Sequence, residues 1–442
     1  MPTKLSIAAI ICIFAWSCRQ EPVLHIDEKE VPSLWAGLNL DIAKNTPANS
    51  PTFASRGFAY AGVTMYESVI HGDQKYHTLA GQLNQLKSLP QPEAGKPYKW
   101  VLALNAGQAQ IIRSIYIQTS QENKKKIDSL EKLIYNSFKT DTADTDKRSV
   151  AFGKAIADSI FSWSKTDGGH RGYLANFDDT LKFPNRMGSW KPPFFAQTIS
   201  RLPLHPHWGK NRTFLVADTN WKIPEFIPFD STKASAYFKQ FEEVYLLNKN
   251  LKQEQKEIAL WWNDDPSETY TPPGHSYNLA RLVVKNKQPD MYGAAETFAR
   301  VGLAVADAFI ICWRIKYHFY SERPSTYVME HIDDQWDPFW PDPPFPSFPS
   351  GHATQAGAVA TVLSNKYGEN IDFVDDTHAG RSRDEVKDVD YKPRHFTSFW
   401  DVAKETAYSR FIGGIHNAQD NTVGLAEGKK VGEHVNELKW YN

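Results

Sequence analysis

Residues 291–324 read MYGAAETFARVGLAVADAFIICWRIKYHFYSERP, and this stretch decides the fold class. Alanine, valine and phenylalanine recur on every turn up to Tyr320, which predicts a long, largely buried helix. Pro324 cannot continue that helix, because its ring clashes with the preceding turn and it lacks an N–H donor. Lys316 and Arg323 are therefore expected to lie together at one mouth, where a core helix gives way to a loop.

Helical periodicity extends over much of the remaining chain, whereas sustained strand alternation does not occur. The predicted helices span 55–70, 100–117, 124–138, 233–248, 254–262, 352–367 and 399–410, and a last helix ends near Val435. Between them, 168–227 and 263–275 have the composition of loops, and six prolines keep 332–349 from being helical. We therefore predict an all-α protein, a helical bundle with long irregular loops.

The overall charge of the chain is nearly balanced. The 442 residues include 50 Lys and Arg against 51 Asp and Glu, and 41% of the residues are hydrophobic. This length and composition support a substantial core, and the balance gives no global electrostatic reason for a nucleic-acid partner or an anionic membrane surface. Any preference for anions must be local.

The N-terminus has the pattern of an export signal, with Lys4 followed by an apolar stretch over 5–16 and then Cys18. We favour a lipoprotein-type signal over 1–18, with a lipid on Cys18 as the only membrane attachment and a periplasmic or outer-membrane-anchored product. Simple secretion and a cytosolic protein with an apolar start remain as alternatives. The predicted organisation continues with a tether over 19–30, an N-terminal helical region over 31–250 and a C-terminal helical domain over 251–442.

Three short motifs in the C-terminal domain combine cations, histidines and a glycine turn. They are Lys316 to Arg323-Pro324, Pro349-Ser350-Gly351-His352, and Ser409-Arg410 followed by His416 and Asp420. Guanidinium forks bind two anion oxygens at once, and an ammonium group adds a mobile point charge. Taken singly, each motif is ordinary, as solvated charges or structural histidines. Their combination predicts a pocket for a tetrahedral or trigonal-bipyramidal oxyanion.

Within these motifs, Ser350 and Gly351 turn directly into a helix, whose first N–H groups attract anions. Ser350 also fits the plain structural role of an N-cap. Asp420 follows His416 by one helical turn, so its carboxylate can orient the imidazole and leave the other ring nitrogen free as a ligand or nucleophile. His352 lacks such a neighbour in sequence and suits general acid–base work.

The three motifs together resemble the signature of the vanadium-dependent haloperoxidases and the type 2 phosphatidic acid phosphatases, and all three parts are present without a substitution. The stretch from Trp261-Trp262 through Thr271-Pro-Pro-Gly-His275 to Tyr277 is also similar to bacterial members of the haloperoxidase branch. This resemblance implies a haloperoxidase-like helical fold, with the C-terminal domain carrying the oxyanion site.

The resemblance also implies a cofactor, substrates and residue roles. Vanadate would be the cofactor, with His416 as the vanadium ligand and Asp420 supporting it. The residues that would bond the vanadate oxygens are Lys316, Arg323, Ser350, Gly351 and Arg410. His352, Lys316 and His416 would be catalytic, and hydrogen peroxide and a halide would react to give hypohalous acid. A small organic substrate is left open.

Two rival functions share this pocket. The phosphatase branch would use His416 as the nucleophile that forms a phosphohistidine, and a non-catalytic lipoprotein would merely bind an oxyanion. Trp313 and Phe345 resemble the aromatic pair that lines the halide site of chloro- and iodoperoxidases, although core packing is their plain alternative. These two residues and the length of the chain favour a haloperoxidase, with iodide or bromide preferred.

Overall fold

The computed structural model describes residues 26–215 and 221–442. The predicted signal over 1–18 and the proposed anchor at Cys18 lie outside the described residues. Within the described ranges, no helix combines the length and the hydropathy that crossing a bilayer requires.

Thirteen α-helices and one small antiparallel sheet make up the regular structure of the described chain, apart from short 3-10 turns. The helices are α1 (Val31–Lys44), α2 (Pro51–Glu67), α3 (Trp100–Ile115), α4 (Gln121–Phe138), α5 (Ala143–Ser164), α6 (Ala236–Asn248), α7 (Gln253–Trp261), α8 (Thr271–Lys287), α9 (Met291–Phe319), α10 (Pro324–His331), α11 (Gly351–Tyr367), α12 (Phe399–Ile412) and α13 (Ala418–Asn436). The strands β1 (Phe373–Asp375) and β2 (Arg394–Phe396) flank the charged loop between them. The predicted all-α class with long irregular loops is confirmed.

Two segments are more helical than their sequence indicated. The stretch 263–275 was predicted to be a loop, but α8 already begins at Thr271, with prolines in its first turn. Helix α10 likewise begins at Pro324, the residue that ends the preceding helical pattern. Proline interrupts a helix interior but is well suited to a first turn, where its missing N–H would have no partner in the helix.

The part of the predicted 19–30 tether that the structure describes belongs to the folded body. Ile26 is buried, and Glu28–Glu30 form a 3-10 turn capped by Asp27 that leads directly into α1. The prediction of a tether reaching residue 30 is therefore too long at its C-terminal end. The polar composition of this segment reflects a capped turn.

The core is built around α9, which packs against α2 from the N-terminal region at very short range. A Cβ atom added at Gly62 would lie 2.5 Å from the carbonyl oxygen of Phe298, and one added at Gly302 would lie 2.8 Å from that of Phe58. Only glycine allows two helix backbones to approach so closely. One apolar cluster contains residues from both sides of the predicted boundary at 250/251, so this boundary is not a break in the core.

The long connection after α5 covers the proline-rich segment that precedes α11. Backbone N–H groups of Trp190, Gln197 and Leu204 donate to the carbonyl oxygens of Tyr320, Asp342 and Pro344 at 2.8, 2.9 and 2.6 Å. These contacts fix the two irregular segments against each other. The three predicted motifs then meet beneath them, where α9 ends, α11 begins and α12 leads into α13.

Candidate oxyanion site

His416 lies at the centre of the site, between a carboxylate and a guanidinium group. Its Nδ1 is 2.7 Å from Oδ2 of Asp420, and its Nε2 is 3.1 Å from NH1 of Arg323. Burial and the nearby Arg323 lower the pKa of His416 well below its usual value, so the ring is neutral. Nδ1–H then donates to Asp420, and Nε2 carries the lone pair. This is the arrangement that the sequence predicted from the spacing of His416 and Asp420.

Backbone carbonyl groups hold Arg323 and Lys316 in place. Arg323 donates from Nε and NH2 to the oxygen of Phe345 at 3.1 and 3.0 Å, and Lys316 Nζ donates to the oxygens of Pro346 and Ser347 at 2.8 and 2.6 Å. Burial lowers the pKa of Lys316 to about 7. The proline-rich segment thus fixes two buried cations, because its extended backbone leaves its carbonyl groups free to accept.

The first turn of α11 is capped and tied to the His416 segment. Ser350 Oγ accepts from the N–H of Ala353 at 3.3 Å, and the Ser350 N–H donates to the carbonyl oxygen of Asp420 at 2.9 Å. The N-cap role that the sequence left open for Ser350 is therefore real. Gly351 and His352 follow it and face the cavity.

Arg410 and His352 each direct an unused donor or acceptor toward the cavity. Arg410 donates from Nε to Ser409 Oγ and from NH2 to the oxygen of Ala259, both at 3.0 Å, while its NH1 has no acceptor within 26–215 and 221–442. His352 Nε2 likewise lacks a hydrogen-bond partner in the described chain. Burial, reinforced by Arg410, lowers the pKa of His352 well below its usual value. Because both groups line the cavity, each is free to bond a ligand there.

A cavity of about 600 Å³ collects these groups. Gly351, His352, Arg410 and His416 line it, whereas Lys316, Arg323 and Ser350 lie directly behind its surface and act through the contacts described above. The structure therefore brings all three motifs to one place. An imidazole lone pair, three cations and a helix N-terminus fit a tetrahedral or trigonal-bipyramidal oxyanion such as vanadate or phosphate.

Trp313 and Phe345 meet in the wall of this cavity. Their ring centroids are 4.9 Å apart at an interplanar angle of 50°, and the indole N–H of Trp313 donates to the oxygen of Leu204 at 3.3 Å. Trp313 is fully buried in the core and Phe345 is partly buried. Core packing and cavity lining are thus compatible here. Cys312 beside Trp313 is a buried free cysteine.

The N-terminal region supplies the opposite wall, a role that the sequence did not reveal. Ser50 and Pro51 at the start of α2 line the cavity, and so do Asn176, Gln197 and Leu204 of the long connection. No local pattern marks these residues as cavity-lining, because they reach the site only through tertiary packing.

A buried network of histidines and carboxylates adjoins the site and was not predicted from the sequence. Asp264 accepts from His275 Nδ1 at 2.7 Å and from His378 Nε2 at 2.9 Å, and Asp375 accepts from His275 Nε2 at 2.9 Å. Asp264, His275 and His378 lie close enough to hold a metal ion. Although burial alone would lower the pKa of His275, the two carboxylates raise it to about 10. Both ring nitrogens of His275 are already engaged by carboxylates, so we interpret this cluster as an ion network beside Arg410.

Several known proteins resemble this chain in sequence or in structure. A family model described as the second helical-bundle domain of VCPO matches residues 296–440. A crystal structure described as the first bacterial vanadium-dependent iodoperoxidase superposes with a TM-score of 0.79 at 29% identity, covering 93% of this chain and 97% of that one. The chain is thus similar to the vanadium-dependent haloperoxidases, in sequence over its C-terminal third and in structure over most of its length.

Further relatives in the haloperoxidase family are more distant. The vanadium chloroperoxidase of Curvularia inaequalis is 28% identical over 211 residues, which are 36% of this chain and 35% of that protein. The match thus spans about a third of the length of this curated relative. The holo-type bacterial vanadium-dependent chloroperoxidase superposes with a TM-score of 0.65 at 16% identity, covering 95% of this chain and 94% of that one, which supports the fold alone.

Proposed function

We propose that this protein is a vanadium-dependent haloperoxidase that oxidises iodide or bromide with hydrogen peroxide to hypohalous acid. One observation carries the proposal. The lone-pair nitrogen of His416 faces a cage of fixed cations in a 600 Å³ cavity that also contains the unpartnered His352 Nε2. Hydrogen peroxide and a halide ion are small enough to share that space.

Vanadate fits the donor set of this chain. His416 Nε2 would be the vanadium ligand, because Asp420 keeps the proton on Nδ1. Lys316, Arg323, Ser350, Gly351 and Arg410 would hold the oxygens and balance their negative charge. When bound, vanadate would supply a Lewis acid that activates hydrogen peroxide toward a halide, and the vanadium would keep its oxidation state.

His352 would act as the general acid–base group of the reaction. Its Nε2 lines the cavity without a partner, and its depressed pKa makes it a neutral acceptor at ordinary pH. It can therefore take a proton from hydrogen peroxide as the peroxide binds and return it when hypohalous acid leaves. Lys316 would direct its charge toward the same reacting oxygens.

Trp313 and Phe345 would form part of the halide site. Aromatic edges carry partial positive charge, and the ammonium group of Lys316 lies 5.3 Å from the Phe345 ring centroid. A large, weakly hydrated anion such as iodide or bromide suits this mixture of aromatic rings and buried charge. The described iodoperoxidase neighbour supports the same preference.

The protein is also proposed to act outside the cytoplasm, as a lipoprotein anchored through Cys18 in the periplasm or outer membrane. The basis is the sequence of 1–18 alone. Cell fractionation of the wild type and of Cys18→Ser tests it. Membrane association that persists unchanged in Cys18→Ser would contradict the lipid anchor.

The decisive assay compares two reactions on the same preparation. Protein reconstituted with orthovanadate is given hydrogen peroxide and iodide, and vanadate-free protein is given a phosphate ester. We expect vanadate-dependent iodide oxidation; ester hydrolysis without halide oxidation would instead identify a phosphatase.

The variant His352→Ala tests the proposed proton transfer. It should retain bound vanadium but lose turnover, whereas His395→Ala, which changes an exposed histidine, should resemble the wild type. Full activity in His352→Ala would overturn the role given to this residue.

A further inference from the structure

A second cavity, of about 310 Å³, lies in the N-terminal half and shares no lining residue with the oxyanion site. It opens between the first half of α2, the C-terminal ends of α3 and α5, and the loop after α5. Four permanent cations line it, namely Arg56, Arg113, Lys165 and Arg171. Among the described residues, no aspartate or glutamate does so.

Two of these cations are already neutralised from behind the cavity. Arg56 Nε donates to Asp167 Oδ2 at 2.6 Å, and Arg113 NH2 pairs with Asp128 at 2.6 Å and Glu131 at 2.5 Å. Arg56 still has a spare donor, because within the described ranges its NH1 has no acceptor. Because the carboxylates that pair with Arg56 and Arg113 lie behind the cavity and do not line it, the cavity surface itself stays cationic.

Lys165 and Arg171 have no carboxylate partner anywhere in 26–215 and 221–442. Lys165 instead rests over the ring of Phe161, with Nζ 4.7 Å from the ring centroid. Arg171 adopts a left-handed backbone conformation with φ of 54°, which is unfavourable for a residue with a side chain. Two unpaired charges at the rim of a cavity favour an anionic ligand.

Aromatic rings form the body of the cavity. Phe53 and Tyr173 meet edge to face at 5.4 Å, and Phe161 meets the ring of His170 at 5.8 Å and 68°. The volume is at the lower end of the range for small-molecule sites, which leaves room for a single ring. Flat apolar walls below a cationic rim suit a ligand with an aromatic body and one acidic head.

We infer that this cavity binds a small aromatic carboxylate. Lys165 and Arg171 hold the carboxylate at the rim with help from Arg56 NH1, and the ring of the ligand packs among Phe53, Phe161 and Tyr173. A carboxylate is planar and accepts two parallel hydrogen bonds from a guanidinium group. The inference does not depend on the haloperoxidase assignment, because the two cavities are separate.

Calorimetric titration of the full chain with benzoate, in the presence and absence of orthovanadate, tests the site. We expect saturable binding that vanadate does not displace. The double variant K165Q/R171Q should weaken it about tenfold or more, since each lost charge contact is worth roughly 1 kcal/mol. Both residues are exposed, so the variant should fold, and thermal unfolding checks this.

Three controls distinguish binding in this cavity from nonspecific anion binding and from binding at the oxyanion site. Benzamide, which lacks the charge, and inorganic phosphate, which lacks the ring, should bind much more weakly than benzoate. His416→Ala should leave benzoate binding unchanged. The inference fails if benzoate does not bind, if benzamide or phosphate binds equally well, or if vanadate or His416→Ala abolishes binding while K165Q/R171Q has no effect.

Discussion

The substitution Asp420→Asn isolates the contact that sets the proton position on His416. In the wild type, the ionised Asp420 accepts from His416 Nδ1 at 2.7 Å and also from Ser347 Oγ. An asparagine of the same shape removes the charge, and its amide N–H₂ can donate to Nδ1 instead. The ring proton would then move to Nε2, the atom that faces Arg323.

The size of this effect follows from the type of hydrogen bond. A hydrogen bond to a charged group contributes about 1.5–3 kcal/mol, against about 1 kcal/mol for a neutral one. The loss of roughly 1–2 kcal/mol corresponds to an affinity for vanadate about 5–30 times weaker. Equilibrium dialysis with vanadium analysis measures this dissociation constant directly.

Thermal unfolding distinguishes a site effect from a folding defect. Burial raises the pKa of Asp420 to about 6, so the fold disfavours the ionised carboxylate at neutral pH. This penalty is absent below the unfolded pKa of 3.8 and is complete above the folded one, and a neutral amide removes it. The melting temperature of Asp420→Asn should therefore not fall at neutral pH.

A matched change on the surface completes the experiment. Asp144→Asn alters an exposed residue in α5 and should leave both vanadate affinity and stability unchanged. An unchanged dissociation constant in Asp420→Asn would refute the reasoning, because it would mean that the carboxylate does not control the lone pair of His416.

Three further predictions concern stability and halide binding. Asp264 and Asp375 hold the pKa of His275 at about 10 in the folded protein, against 6.5 when it is unfolded. The resulting stabilisation of the fold is complete below pH 6.5 and is lost as the pH rises toward 10. Chemical unfolding at several pH values should show this fall in the wild type and a flatter profile in His275→Gln. Gly62→Ala should lower the free energy of unfolding by about 1–3 kcal/mol, because its Cβ would meet a backbone oxygen of α9. The control Gly37→Ala would make only ordinary contacts. Equal unfolding midpoints for the two variants would contradict the α2–α9 packing. Phe345→Leu should raise the halide KM several-fold at unchanged vanadium content, and an unaltered KM would remove Phe345 from the halide site.

Local sequence was enough to place the oxyanion residues on the correct elements. Each motif spans a helix end, and proline or glycine marks that end in the sequence. The lone pair of His416 was also predictable, because Asp420 lies one turn away. The proposed catalytic roles themselves stay predictions that need the assays above.

Contacts over long sequence separations could not be predicted in the same way. Asp264, His275 and His378 are adjacent only because α8 and the loop after β1 pack together. Asp264 and His275 stand within the stretch that resembles bacterial haloperoxidases, and this was the only signal for the network. The prediction was wrong at the starts of α8 and α10, where prolines stand in the first turn of a helix and do not exclude one.

The glycine contacts between α2 and α9 bear on how this protein could have diversified. Helix α9 holds its register through backbone atoms of α2, which lies more than two hundred residues earlier in the chain and begins at the wall of the oxyanion cavity. A recombination event that replaced only the motif-bearing half would pair α2 with a new helix whose glycines need not lie opposite the close contacts of α2. Variants of this protein are therefore expected to arise by substitution within loops and cavity walls, and seldom by exchange of whole halves.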